Sequence, residues 1–220
     1  MVARVIPMNY RNITGTVSLK RTTQSRMSIA FESSLERDFV ALLDASDDVR
    51  EIEEQPVQIK YKVSNENSFR TYTPDTLYTL KSGEKVLCEV KYRKDLFEHW
   101  DTLKPKFKAA IRYAKEKGWT FKIFTEKEIQ CVWLSNMKFL FRFNSINPEP
   151  TQISSILSAI ESVRHCEIRE LLPILSASKQ TQAEYFPIIW NLILKKDIQC
   201  DLNKPLTSAT EIWVNITENV

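Results

Sequence analysis

Val86-Leu87-Cys88-Glu89-Val90-Lys91-Tyr92 decides how this chain folds. Two charges, two positions apart, interrupt an otherwise apolar segment. Side chains alternate across a strand, so Glu89 and Lys91 share one face while Cys88 and Val90 point to the other. Lys81-Ser82-Gly83-Glu84, just before it, is a turn, and Tyr72 to Leu80 reads as the strand that enters that turn. This second strand contains Thr73-Pro74-Asp75. A proline inside a strand removes a ladder donor and favours an edge or a bulge, and a bulge can re-aim a neighbouring side chain such as that of Asp75. Further upstream, Val57, Ile59, Tyr61 and Val63 alternate with Gln58, Lys60 and Lys62, which is a strand with one buried face. Ser64 to Ser68 is a polar turn.

Helices flank these strands. Leu35, Phe39, Leu42 and Leu43 form one apolar face of a helix that begins near Ser33. A second helix is predicted from Leu96 to Lys117, with Trp100, Leu103, Phe107, Ile111 and Ala114 spaced for burial. Pro105 is tolerable there only near the first turns, and Gly118 suits the helix end. Trp119 to Phe124 reads as a short strand, and Thr125 caps a brief helix through Ile129. Phe139, Phe141 and Phe143 alternate with Leu140 and Arg142 as another strand. Helix, three strands, helix and strand make an α/β core with a mixed sheet. Asn147-Pro148-Glu149-Pro150 reads as a linker. Beyond it, helices are predicted around Ile153 to Ile160, Glu167 to Leu175 and Gln180 to Leu194, with a kink at Pro187. Strands at Ile198 to Leu202 and Glu211 to Ile216 flank a turn at Asn203-Lys204-Pro205. Three helices followed by a hairpin form a winged-helix pattern. The expected organisation is a basic arm over 1–30, a core domain over 31–146 and a winged-helix-like C-terminal domain over 151–220.

The 220 residues carry a net charge of only +3, so total charge does not argue for a polyanionic partner. Its distribution says more. No acidic residue occurs from Met1 to Ala30, where Arg4, Arg11, Lys20, Arg21 and Arg26 stand, a composition suited equally to lying along phosphates and to a solvated, poorly ordered terminus. With three glycines in the whole chain, a glycine-rich phosphate loop is excluded. Cys88, Cys131, Cys166 and Cys200 form no CxxC pair, which argues against a zinc site or a disulfide framework. His99 and His165 suggest no catalytic pairing. No apolar run is long enough to span a bilayer, and a cytoplasmic protein without membrane contact is expected.

Asp75 and Glu89 lie on consecutive strands joined by a short turn and are expected as neighbours. Two close carboxylates repel unless a cation or a proton intervenes. With a bound Mg²⁺, such a pair can polarise a phosphate and lower the pKa of an attacking water, and Lys91 can orient that water or offset charge developing on the phosphate. Taken alone, Thr73-Pro74-Asp75 also reads as a surface turn, and Glu89 with Lys91 as a solvent-facing pair. Glu36 reads by spacing as part of a capping box, Ser33-Ser34-Leu35-Glu36, reaching back to the Ser33 amide. Gln55 is positioned to line the same cleft or to serve as a loop residue. Arg93 and Lys94, at the exit of the key strand, are phosphate-contact candidates. Lys104, Lys106, Lys108, Arg112, Lys115 and Lys117 read as a solvated helix face or a DNA-facing one. Carboxylate, Pro-Asp and Glu-x-Lys, in that order, are the parts of a PD-(D/E)xK nuclease site.

Several stretches together resemble the TnsA family, the endonuclease subunits of heteromeric bacterial transposases, some from CRISPR-associated transposons. They are Phe31 to Phe39, Ile52-Glu53-Glu54-Gln55-Pro56, Tyr72-Thr73-Pro74-Asp75, Glu89-Val90-Lys91-Tyr92 and Trp119 to Ile129. The resemblance covers about residues 30–130, and the C-terminal part agrees only in pattern. It implies a restriction-endonuclease-like mixed-sheet core with a winged-helix-like C-terminal domain. It implies Mg²⁺-dependent cleavage of transposon 5′ ends, with Mn²⁺ as a substitute. It also implies two partners, a TnsB-type DDE transposase that cuts and joins the 3′ ends and a TnsC-type AAA+ ATPase. The family's site falls on Glu36, Asp75 and Glu89 as metal ligands and on Lys91; some members have glutamine where this chain has Glu89. Arg21, Arg26, Arg93 and Lys94 are the expected DNA contacts. A stand-alone restriction or repair nuclease, and a noncatalytic adaptor between DNA and an ATPase, are the alternative readings.

Overall fold

The computed structural model describes residues 15–18, 28–63 and 68–215. Arg21, Arg26, the Ser64 to Ser68 turn except Ser68, and the expected strand's last residue Ile216 lie outside them. Two compact units divide the chain, Met1–Gln130 and Cys131–Val220. The expected linker at 147–150 falls inside the second unit, where Pro150 opens a helix at its first position. Proline suits that place because its missing N–H has no partner to lose there.

In the first unit, β1 (Gly15–Ser18) pairs antiparallel with β2 (Ser28–Phe31), so the described part of the segment expected as an arm contains a two-stranded ribbon. Helix α1 (Ser34–Ala45) follows, capped by the Ser33 side chain, which accepts the Glu36 amide proton. Next come β3 (Val49–Glu54), β4 (Ile59–Lys62), β5 (Phe69–Tyr72), β6 (Thr76–Leu80) and β7 (Lys85–Val90). Helices α2 (Arg93–Glu98) and α3 (Trp100–Glu116), strand β8 (Thr120–Phe124) and helix α4 (Glu126–Ile129) complete the unit. The central sheet has the order β3-β6-β7-β8. Its first two pairings are antiparallel and β7–β8 is parallel. This is the mixed sheet in an α/β setting that the sequence predicts, and it is consistent with a restriction-endonuclease-like fold.

Two expectations need correction here, and one strand was missed. The strand drawn through Tyr72 to Leu80 is two strands, β5 and β6, interrupted at Thr73-Pro74-Asp75. Pro74 has no N–H to give a ladder, and β5 pairs with β4 in a separate ribbon while β6 joins the central sheet. The single helix from Leu96 to Lys117 is broken at His99 into α2 and α3. Edge strand β3 was not foreseen, because its charges Arg50, Glu51, Glu53 and Glu54 hide the strand pattern.

The buried face of α3 also differs from the expected one. Phe107, Ala109, Ala110 and Ala114 are buried, while Trp100 is 45% and Ile111 53% exposed. Ile59 of β4 and Tyr72 of β5 join Leu77, Leu87, Phe107, Ala109 and Ala110 in one core cluster. The β4–β5 ribbon thus covers one flank of α3. That cover turns Ile111 outward and brings Ala109, and Lys106 beside it, inward. Complete burial of a side chain such as Leu87 stabilises by about 1.5–3 kcal/mol. On the opposite sheet face, Phe39 of α1 packs on Phe124 with ring centroids 4.6 Å apart.

The second unit contains α5 (Val132–Leu140), a 3₁₀ turn (Phe141–Phe143), α6 (Pro150–Val163), β9 (His165–Glu167), α7 (Ile168–Leu175), α8 (Lys179–Lys195) and β10 (Glu211–Trp213). Phe139 to Phe143, expected as a strand, is helical. Phe139 and Phe143 are four residues apart and their rings meet at 5.2 Å, the neighbour spacing of a helix. Strand β10 pairs antiparallel with β9. The expected strand at Ile198 to Leu202 is reduced to one bridge, Gln199 to Trp213. Ile156, Ile160, Ile168, Leu171, Ile189, Leu192 and Ile212 form this unit's core. No helix among the described residues is long and apolar enough to cross a membrane.

Candidate active site

The four side chains singled out by sequence come from separate parts of the first unit. Glu36 stands in the first turn of α1, Asp75 in the break between β5 and β6, Glu89 in β7, and Lys91 just past its end. Asp75 bridges two strands through its backbone. Its N–H donates to the Cys88 carbonyl at 3.0 Å, and its own carbonyl accepts from the Gln55 amide at 2.8 Å. The side-chain Oδ2 then accepts the Val90 amide proton at 2.7 Å. The interruption after Pro74 therefore directs the Asp75 carboxyl along β7, beside Glu89.

Glu89 is almost completely buried, at 1% exposure. Its Oε2 accepts the Tyr72 hydroxyl proton at 2.6 Å. Its Oε1 lies 2.9 Å from Lys106 Nζ and 3.8 Å from Lys91 Nζ. Glu89 and Lys91 thus share a strand face, as predicted from alternation. Lys91 continues the ladder by donating its amide to the Phe124 carbonyl at 3.0 Å.

Glu36 both caps and contributes charge. Its Oε1 accepts from the Ser33 hydroxyl at 3.0 Å and its Oε2 from the Glu32 amide at 2.8 Å. The backbone partner is the amide one residue before the expected Ser33. Burial holds the Glu36 carboxyl above its usual range, with the hydrogen bonds from Glu32 and Ser33 opposing. Asp75 is pushed well above the carboxylate range by burial first, then by the negative charges of Glu89 and Glu36. Burial draws Lys91 down, but Glu89, Asp75 and Glu36 together outweigh it and hold the ammonium above its usual value. Asp75 and Lys91 each feel the charges of the other three, and the four form one electrostatic cluster.

The donors are carboxylate oxygens, the chemistry a hard divalent cation takes. Among the described residues no three Asp, Glu, His or Cys side chains converge as a preformed metal cage. Mg²⁺ does not need one, since it usually binds through one or two carboxylates, several waters and substrate phosphate oxygens. Asp75, in the break before β6, and Glu89 of β7 fit that open type of site. The four cysteines are free thiols.

Arg93 and Lys94 are exposed in the first turn of α2, immediately beyond Lys91. The Arg93 amide donates to Glu126 Oε2 at 3.0 Å, and Lys94 pairs with Glu98 at 3.8 Å. Gln55 is buried at a left-handed φ of 43°, and its Oε1 has no hydrogen-bond partner among the described residues. The sequence reading missed Tyr72 and Lys106 as site residues. Lys106 did leave a trace: it stands three residues after Leu103 and four before Ala110, inside the apolar stripe of α3 rather than opposite it.

No curated protein matches the chain. The family model described as "TnsA-like endonuclease N terminal" matches residues 46–126. That span runs from the end of α1 to the start of α4, and it holds Asp75, Glu89, Lys91, Tyr72 and Lys106, with Glu36 just outside it. The pairing that brings Asp75 against Glu89 therefore lies within the segment that is similar to a TnsA-like endonuclease N-terminal domain.

Proposed function

We propose that this protein is a Mg²⁺-dependent DNA endonuclease that cuts the 5′ ends of a transposon during cut-and-paste transposition. The observation that carries the reading is the Asp75–Glu89–Lys91 cluster inside a TnsA-like endonuclease segment. Bound Mg²⁺ would supply charge neutralisation at the phosphate and a more acidic water. Asp75 and Glu89 would hold it, with Glu36 adding negative charge at the edge of the site. Lys91, one residue past β7, would hold a phosphate oxygen or the attacking water and offset charge as the phosphodiester bond breaks. Arg93 and Lys94 would steer the DNA backbone toward that exit, as would Arg21 and Arg26 of the basic segment.

Among the described residues, neither unit offers an obvious base-reading helix. Helix α8 carries basic residues only at its ends, Lys179, Lys195 and Lys196. Sequence choice therefore falls to a partner, a TnsB-type DDE transposase that cuts the opposite strand, under a TnsC-type AAA+ ATPase. The second unit is proposed as winged-helix-like and as a docking module. The order α6-β9-α7-α8, followed by the Gln199 bridge and β10, supports that assignment. The test is cleavage of duplex transposon ends in Mg²⁺ or Mn²⁺, with and without the transposase. The expected result is 5′-strand cutting that needs the partner and is lost in Asp75→Ala, while 3′-strand cutting persists. Equal cutting of any duplex without a partner would replace this reading with a stand-alone nuclease.

A further inference from the structure

Glu89 has both oxygens engaged by protein: Tyr72 on Oε2, and Lys106 on Oε1 with Lys91 behind it. Each oxygen of this carboxylate thus carries a protein partner before any cation arrives. Lys106 comes from α3, not from the strand that bears the Glu-x-Lys piece. Its side chain is only 17% exposed, and its ammonium lies over the Tyr72 ring at 4.5 Å and near the Phe107 ring at 5.2 Å. These contacts make it a held charge with a defined seat, and an aromatic face accepts a cation on its own account.

A divalent cation on Glu89 Oε1 and an ammonium 2.9 Å from the same oxygen repel each other. Metal entry would then be an exchange, in which Lys106 would give up Oε1 and keep its contact with the Tyr72 ring. We propose that Lys106 is the resident counter-ion of Glu89. It holds the acidic cluster together before metal arrives, and its displacement sets how tightly the cation binds. The inference rests on the metal-site reading above and adds to it a residue that gates the site.

The test is calorimetric titration of the full chain with Ca²⁺, without DNA, at neutral pH. Lys106→Met keeps the stem packed on Tyr72 and Phe107 but removes the charge. It should bind Ca²⁺ about tenfold more tightly, the order of effect of a group that touches a ligand rather than the metal. Lys106→Arg, which keeps the charge, should stay near wild type. In EDTA the methionine variant should melt below wild type, and Ca²⁺ should raise its midpoint by more than it raises that of wild type. Lys106→Gln keeps a hydrogen-bond donor for Glu89 without the charge and should follow the same order, which covers any packing loss in the methionine variant. Unchanged or weaker Ca²⁺ binding in both neutral variants overturns the proposal while leaving the metal site standing. Absence of saturable Ca²⁺ binding in wild type and Asp75→Asn alike overturns the metal site, and this inference with it.

Discussion

Asp75 Oδ2 accepts the backbone proton of Val90 at 2.7 Å, a side-chain bond between the residue after Pro74 and the strand that carries Glu89. An aspartate there has a structural partner as well as a chemical role, and the two can be separated. Asparagine keeps a side-chain oxygen for the Val90 amide but loses the negative charge. Asp75→Asn should therefore fold with a melting midpoint at or above that of wild type and cut no DNA. Alanine should lose both, with a stability loss on the order of 1–2 kcal/mol from the unpaired buried amide. Urea denaturation beside the end-cleavage assay checks the pair. Cutting by Asp75→Asn at the wild-type rate would remove Asp75 from the site.

Tyr72 donates to the buried Glu89 at 2.6 Å while its ring meets Phe107 edge-on at 6.4 Å. Tyr72→Phe keeps the ring contact and deletes one donor to a buried carboxylate. The expected loss is about 1.5–3 kcal/mol, the range for hydrogen bonds to charged groups. Chemical denaturation of the metal-free protein measures it. A loss below a few tenths would mean that water or Lys106 replaces the hydroxyl.

What the sequence reveals and what it hides follow from burial. Strand β7 is legible because Val86, Leu87, Cys88 and Val90 leave Glu89 and Lys91 as conspicuous charges. Helix α1 is legible because Leu35, Phe39 and Leu43 recur at helical spacing. Strand β3 is hidden because an edge strand with one solvated side tolerates Arg50, Glu51 and Glu53, and their charges mask its alternation. Phe139, Phe141 and Phe143 imitate a strand because every-second-residue aromatics satisfy the period of two. The contact that decides the matter is the four-residue pair Phe139–Phe143. Lys106 is missed because a lysine among lysines reads as solvated. Its burial depends on the β4–β5 ribbon covering α3, a long-range contact that no local pattern encodes.

The acidic cluster makes metal-free stability depend on pH. Asp75 and Glu36 both have folded-state pKa values above those of the unfolded chain. For such carboxylates the folded form holds its proton more tightly. Their contribution is fully present below the ordinary carboxylate range and is lost as pH rises through the raised values. The raised Lys91 value works in the alkaline range instead, where its contribution is lost as pH passes the folded pKa. In EDTA the wild-type midpoint should therefore fall between mildly acidic and neutral pH, relative to Asp75→Asn measured over the same range. Ca²⁺ should shrink that difference by neutralising the carboxylates. Parallel curves for the two proteins in EDTA would contradict the coupling.

In the second unit the end of α8 offers a test free of the site's chemistry. Lys196 closes the helix in the left-handed region, with φ of 70° and ψ of 15°, and its N–H donates to the carbonyls of Ile193 and Leu192. An L side chain there crowds its Cβ against the following carbonyl, whereas glycine adopts this conformation without that crowding. Glycine also loosens the unfolded chain, which offsets part of the gain. The Lys196 side chain is exposed. Lys196→Gly should raise stability by up to about 1 kcal/mol, the roughly 1–2 kcal/mol strain of one left-handed residue less the roughly 0.4–1 kcal/mol that glycine adds to the unfolded chain's freedom. Thermal unfolding followed by tryptophan fluorescence reports it, because Trp190 lies on the same helix and Trp213 on the strand bridged to Gln199. A drop in midpoint would show that the Lys196 side chain stabilises the turn by more than its backbone geometry costs.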